Sequence, residues 1–132
     1  MPDSPTEVFQ QVLAGVTGKR WADLPDLYAE DTVVEHPFAP GGGTVMRGRE
    51  ALRAHFAAGG RLGLTMTAED VVVHQTADPE VVAGEFTYRG TVDTTGTPFT
   101  VRNIVVMRVR DGQIVESRDY HDHQTLASIT SQ

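Results

Sequence analysis

No cysteine occurs in the 132 residues of the chain. Its absence excludes disulfides, thiolate nucleophiles and cysteine-ligated zinc centres, and a reducing, cytoplasmic setting is expected. Long apolar runs are also missing. None approaches the roughly 20 residues of a membrane-spanning helix, and the start, MPDSPTEVF, lacks the basic and apolar blocks of a signal peptide. Positive charge is scarce: 11 Lys and Arg against 18 Asp and Glu leave a net charge of -7. Nucleic acid is bound through a basic surface that releases counterions, so neither nucleic acid nor membrane is expected as a partner. A small molecule fits better. The length suits one domain over residues 1–132, large enough to bury roughly two-thirds of its unfolded surface and enclose a pocket.

The helical signals come first. Ser4-Pro5-Thr6-Glu7 has the S-x-x-E of a capping box with proline at the first helical position; Phe9, Val12, Leu13 and Val16 follow at helical spacing, and Gly18 stops the helix. Trp21, Leu24, Leu27 and Tyr28 suggest a second short helix, with Pro25 tolerated in its first turn. GREALRAHFAAGG reads as a third, ended by Gly59-Gly60. From Leu62 the period becomes extended: runs around LGLTMT, DVVVHQT, VVAGEFTYRGTV, FTVRNIVVMRV and QIVESRDYHDH are β-branched, with turn signals at Asp78-Pro79, Thr95-Gly96 and Asp111-Gly112. These strands are expected to form an antiparallel meander covered on one face by the three helices, an α+β arrangement. PFAPGGGTVM reads as a loop.

The segment LYAEDTVVEHPFAPGGGTVMRGREALRAHF resembles ketosteroid isomerases and SnoaL-like polyketide cyclases, and VRNIVVMRVRDGQIVESRDYHDHQTL resembles their last two strands, as also in phenazine-biosynthesis cyclase-like proteins. The likeness spans about residues 5–128. It implies the nuclear transport factor 2-like, cystatin-like cone: three N-terminal helices on a curved, mainly antiparallel sheet. That fold hosts many reactions, so function has to be read from the site. At the position of the isomerases' catalytic aspartate the VEHPF motif has His36. Their two oxyanion donors fall at Val12 and Val105, which cannot donate, while Tyr28 and Phe56 keep aromatic character. A plain 3-ketosteroid isomerase is therefore not expected.

RDYHDH, residues 118–123, closes the last strand. Alternation places Ser117, Asp119, His121 and His123 on one face and Glu116, Arg118, Tyr120 and Asp122 on the other, without saying which faces in. The resemblance chooses. A pocket tryptophan of the isomerases falls at His121, and a glutamate proposed as acid/base in the phenazine cyclase-like proteins falls at Asp119. Val101, Asn103, Val105 and Met107 then turn inward on the preceding strand.

The expected site is His36, Asp119 and His121, with Asn103 as donor to a developing oxyanion, in a pocket walled by Trp21, Tyr28, Phe56, Phe86 and Tyr88. Imidazole titrates near pH 6.5, which suits general acid/base work, and a carboxylate beside it can fix its tautomer. The chemistry this suits is proton transfer next to a carbonyl of a hydrophobic substrate, without cofactor or metal. Structural readings compete. His36 and His121 can serve backbone groups, Asp119 can pair with Arg102 or Arg118, and the aromatics can be plain core. His55 and His74 are assigned no role, and His123 is expected to be solvated. A His121-x-His123 zinc chelate, with His36 as third ligand, is the metal alternative. Two other functions stay open: a limonene-type epoxide hydrolase and a non-catalytic ligand-binding module. Ile104 and Val106, flanked by Arg102 and Arg108 on the outer face, suggest a homodimer.

Overall fold

In the computed structural model, which describes residues 1–130, Ser4 caps helix α1, Pro5–Thr17. The Ser4 hydroxyl accepts from the Glu7 N–H while the Glu7 carboxylate accepts from the Ser4 N–H, so two otherwise orphaned donors are satisfied. The last two residues of the expected 1–132 domain lie outside the described residues. The expected second helix is not one: a single 3₁₀ turn spans Leu24–Leu27, and strand β1, Tyr28–His36, begins at once. Pro25 is tolerated only in a first helical turn, and just Asp26 and Leu27 follow it before β1, which leaves a single turn.

Strand β2, Thr44–Arg47, lies inside the segment expected to be loop, and helix α2, Arg49–Gly60, follows. The two runs expected as separate strands after Leu62 form one strand, β3, Leu64–Gln75. Its pairing skips between Glu69 and Val72, a bulge with Asp70 at φ 55°. β4, Val81–Val92, β5, Pro98–Arg110, and β6, Gln113–His121, complete a curved sheet in the order β2-β1-β6-β5-β4-β3. β3 to β6 pair antiparallel, and β1 joins β6 in parallel. The expected Asp111-Gly112 hairpin turn is present, with both residues at positive φ.

The helices are also not all N-terminal. Helix α3, His123–Thr130, follows the sheet. Asp122 caps it: its carboxylate accepts from the Thr125 N–H and Thr125 hydroxyl, and its carbonyl accepts from the Leu126 N–H. Ile129 of α3 packs with Val92, Phe99 and Val101. None of the helices among the described residues is long and apolar enough to cross a membrane.

α1 docks through Phe9, 1% exposed, which is worth about 1.5–3 kcal/mol of burial. The docking depends on Gly84 of β4, where a Cβ would stand 2.2 Å from the Phe9 ring. The inner face of β5 is strictly alternating, with Phe99, Val101, Asn103, Val105, Met107 and Val109 all buried.

On the outer face Arg108 donates to Asp78, Glu80 and Glu116, and Arg110 donates to Glu80. The guanidiniums of Arg110 and Arg108 hold the Glu80 carboxyl down from 4.5 to about 2. Because the folded-state value lies below the unfolded one, the pair's stabilising effect is complete above pH 4.5 and is lost as pH falls through about 2. The difference in melting temperature between wild type and Glu80→Gln should therefore be visible at neutral pH and close near pH 2. An equal gap at both ends would show that the network contributes no charge-dependent stability.

Candidate active site

Three neighbouring strands bring the polar residues together. β1 runs parallel to β6 with Val34 opposite Ser117 and Glu35 opposite Arg118, so the next residue, His36, comes beside Asp119. β5 runs antiparallel to β6 with Asn103 opposite His121 and Val105 opposite Asp119. The inward direction of Asp119 and His121 depends on a bulge. Pairing steps from Arg108–Glu116 to Val109–Ile114, leaving Val115 as an extra residue. Ile114 and Ser117 are both buried although their parity differs, so the bulge re-aims the rest of β6 and turns Ser117, Asp119 and His121 toward the interior.

His36 is only 8% exposed, and its Nε2 lies 3.5 Å from Asp119 Oδ2. This is an ion-pair distance; the same Nε2 makes no hydrogen bond among the described residues. The other Asp119 oxygen, Oδ1, accepts from the Ser117 hydroxyl at 2.5 Å. Asn103 Nδ2 points at two backbone carbonyls, Val101 O at 3.1 Å and Phe86 O at 3.5 Å. That orientation leaves Asn103 Oδ1 as an acceptor 2.7 Å from His121 Nδ1. His121 must therefore carry its proton on Nδ1, and the lone pair falls on Nε2. With both amide hydrogens directed at carbonyls, what Asn103 offers this end of the cavity is its grip on His121 rather than a free donor.

Charge follows from the surroundings. Burial pushes the Asp119 carboxyl up, but His36, His121 and the Ser117 hydroxyl together hold it below the usual carboxylate range. Burial, only partly opposed by Asp119, takes His121 down to about 4. Asp119 is thus a carboxylate and His121 a neutral imidazole at physiological pH. Burial together with the Asp119 charge raises the phenols of Tyr28 and Tyr88, which keeps both protonated.

These groups meet at a cavity of about 330 Å³, within the range typical of ligand sites. All of the residues expected to act or bind, His36, Asp119, His121 and Asn103 together with the five aromatics, border it. Tyr28 packs on Phe56 and Tyr88 on Phe86, with ring centroids 5.8 and 5.1 Å apart. Asp119 is the only carboxylate among the described lining residues, and Arg102 lies on the opposite face of the sheet.

Sequence reasoning missed two residues. His55 borders the cavity with its ring centroid 5.3 Å from that of His36. The available signal was its spacing of i+3 from Leu52, which puts it on the inward side of α2. His123, expected to be solvated, has a buried Nε2 without a hydrogen bond among the described residues and also lines the cavity. Its signal was the Asp122-x-x-Thr125 cap, which starts a helix at His123 and folds the chain back instead of letting the strand run out. The fifth histidine, His74, pairs with Glu85 on the exposed surface.

A family profile described as "SnoaL-like domain" matches residues 9–117. A PhzA/B-like protein of Pseudomonas aeruginosa, described as uncharacterised, is 39% identical over 99 residues, covering 72% of this chain and 67% of its own. Among solved structures, a Bacillus subtilis protein described as an isomerase candidate superposes with a TM-score of 0.86 at 26% identity, covering 96% of this chain and 91% of the other. IdmH of Streptomyces antibioticus, described as a candidate polyketide cyclase, superposes at 0.74 with 27% identity, covering 98% and 100%.

Proposed function

The chain belongs to the SnoaL-like domain family and has its nuclear transport factor 2-like fold, and we propose that it catalyses proton transfer next to a carbonyl of a hydrophobic small molecule, as a cyclase or isomerase. One observation carries this reading. A carboxylate oxygen and nitrogens of two imidazoles lie within 4.8 Å of one another at one end of an otherwise largely apolar cavity.

In the proposed reaction the substrate carbonyl accepts a hydrogen bond from the protonated phenols of Tyr28 or Tyr88, the neutral donors that Val12 and Val105 cannot be. His36 Nε2 takes the α-proton, breaking the C–H bond and leaving an enolate. Asp119, 3.5 Å away, stabilises the imidazolium that forms. His121, held by Asn103, presents a neutral acceptor for a substrate hydroxyl. The proton returns from His36 to carbon, or the enolate attacks a second carbonyl of the same molecule, forming the ring's C–C bond, and the alkoxide left by the broken C=O π bond takes the proton back from His36.

A limonene-type epoxide hydrolase fits less well, since that chemistry uses an Asp-Arg-Asp set. Here one carboxylate among the described residues lines the cavity, and Arg102 faces away from it. The exposed Ile104, 45% accessible on the outer face of β5, supports a homodimer within the same proposal, to be checked by light scattering.

The test is α-proton exchange of a benzo-fused cyclic ketone, 2-tetralone, in D₂O followed by proton NMR. The protein should accelerate exchange well above buffer and above an equal concentration of imidazole. If neither 2-tetralone nor a panel of hydrophobic ketones and phenols exchanges faster with protein, the cavity is a binding site without this chemistry.

A further inference from the structure

Proton transfer of the kind described engages two imidazoles and a carboxylate, yet four of the chain's five histidines converge on this end of the cavity. The His36 ring centroid stands 5.3 Å from that of His121 and 6.0 Å from that of His123, and the rings of His121 and His123 are 5.8 Å apart. Two of the nitrogens, Nε2 of His36 and Nε2 of His123, are buried and make no hydrogen bond among the described residues. A buried nitrogen without a hydrogen bond 3.5 Å from a carboxylate oxygen, with a second such nitrogen on a neighbouring ring, is an arrangement suited to something that accepts electron pairs.

We propose that His36, Asp119 and His121 form a binding site for one divalent first-row transition ion, with His123 beside it. Their ligating atoms lie within 4.8 Å of one another, and His36 Nε2 and Asp119 Oδ2 at 3.5 Å already match the separation of about 3.4 Å between neighbours around a tetrahedral ion. Closing the longer separations takes side-chain movements of about 1 Å onto metal–ligand distances of about 2.0–2.2 Å. The surroundings support the donors as metal sites require. Asn103 Oδ1 holds the Nδ1 proton of His121 and so leaves Nε2 as its ligand atom, while Ser117 hydrogen-bonds the Asp119 oxygen opposite the one facing His36. Two imidazoles and one carboxylate with no sulfur suit Zn²⁺, Co²⁺ or Ni²⁺, whereas Mg²⁺ and Ca²⁺ take sets of oxygens. Three protein ligands leave a coordination position open toward the cavity.

Tag-free protein, stripped with a chelator and dialysed, is titrated with ZnCl₂ by calorimetry and with CoCl₂ by visible absorption. One ion per chain is expected, with the intense bands of low-coordinate Co²⁺ and no competition from excess Mg²⁺. His36→Gln, His121→Gln and Asp119→Asn should each remove stoichiometric binding, and Asn103→Leu should weaken it about 10–100-fold. His74→Gln, on the far surface, should leave it intact. Circular dichroism identifies any variant that fails to fold, and the remaining ligand variants then decide. Absence of stoichiometric binding by the wild type, or binding that survives the folded ligand variants, overturns the proposal. The ion and the proton-transfer reading are separable. Ketone exchange by stripped protein that binds no ion sinks the metal alone, and stoichiometric binding with no exchange in either form sinks the proton transfer alone.

Discussion

Asp119→Asn is expected to slow α-proton exchange by about 10²-fold or more while leaving the melting temperature close to that of the wild type. Asparagine keeps the shape of the side chain and can still accept from the Ser117 hydroxyl, so the packing of β6 against β5 has no reason to change. What disappears is the negative charge 3.5 Å from His36 Nε2, and with it the stabilisation of the imidazolium formed when the α-proton arrives. His36→Gln removes the base itself and should slow exchange at least as much. A purely structural pair predicts the reverse. His36 is 8% exposed and Asp119 is nearly as enclosed, so disrupting a scaffold contact would lower the melting temperature while exchange stayed intact. Measuring both quantities on both variants separates the two roles.

Much of the fold was legible because its signals are local. The Ser4 capping box, the Gly59-Gly60 stop and the Asp111-Gly112 turn each act within a few residues, and each sits where the sequence placed it. The failures share a cause. Pro25 within an apolar periodicity suggests the first turn of a helix, whereas the two residues between it and β1 leave room for one 3₁₀ turn only. α3 was missed because HDHQTL continues a β-like run, and only the Asp122 carboxylate on the Thr125 N–H marks the change. The placement of Asp119 and His121 was harder still. Alternation alone, counted back to the buried Ile114, would have turned Glu116, Arg118 and Tyr120 inward, because the extra residue Val115 reverses the parity. No single strand announces such a bulge, because the extra residue is defined only by the register against β5. Family resemblance supplied the correct face where periodicity could not. It did not supply His55 or His123, which reach the cavity from the middle of α2 and from the start of α3.

Asn103→Leu should have the second large effect, and it reaches the reaction through another residue. Asn103 never needs to touch substrate. Its amide hydrogens are directed at the Val101 and Phe86 carbonyls, and that orientation forces Oδ1 to accept from His121 Nδ1. Leucine branches at the same carbon and is bulkier but accepts nothing, so the imidazole is released to exchange its proton between Nδ1 and Nε2 and to rotate about its side-chain bonds. Whenever Nε2 carries the proton, His121 can no longer accept from a substrate hydroxyl, and the orientation of the carbonyl relative to His36 is lost with it. Exchange should fall by about 10-fold or more, through the maximal rate rather than through ketone affinity, because the apolar wall around position 103 is preserved. Nitrogen-15 NMR supplies the readout that a packing defect would not move. In the wild type the His121 ring should give the signature of the Nδ1–H tautomer, and in Asn103→Leu it should shift toward a mixture. A variant that slows exchange with the His121 signature unchanged would show that Asn103 acts by packing, and one that mixes the tautomers with the rate intact would remove His121 from the reaction.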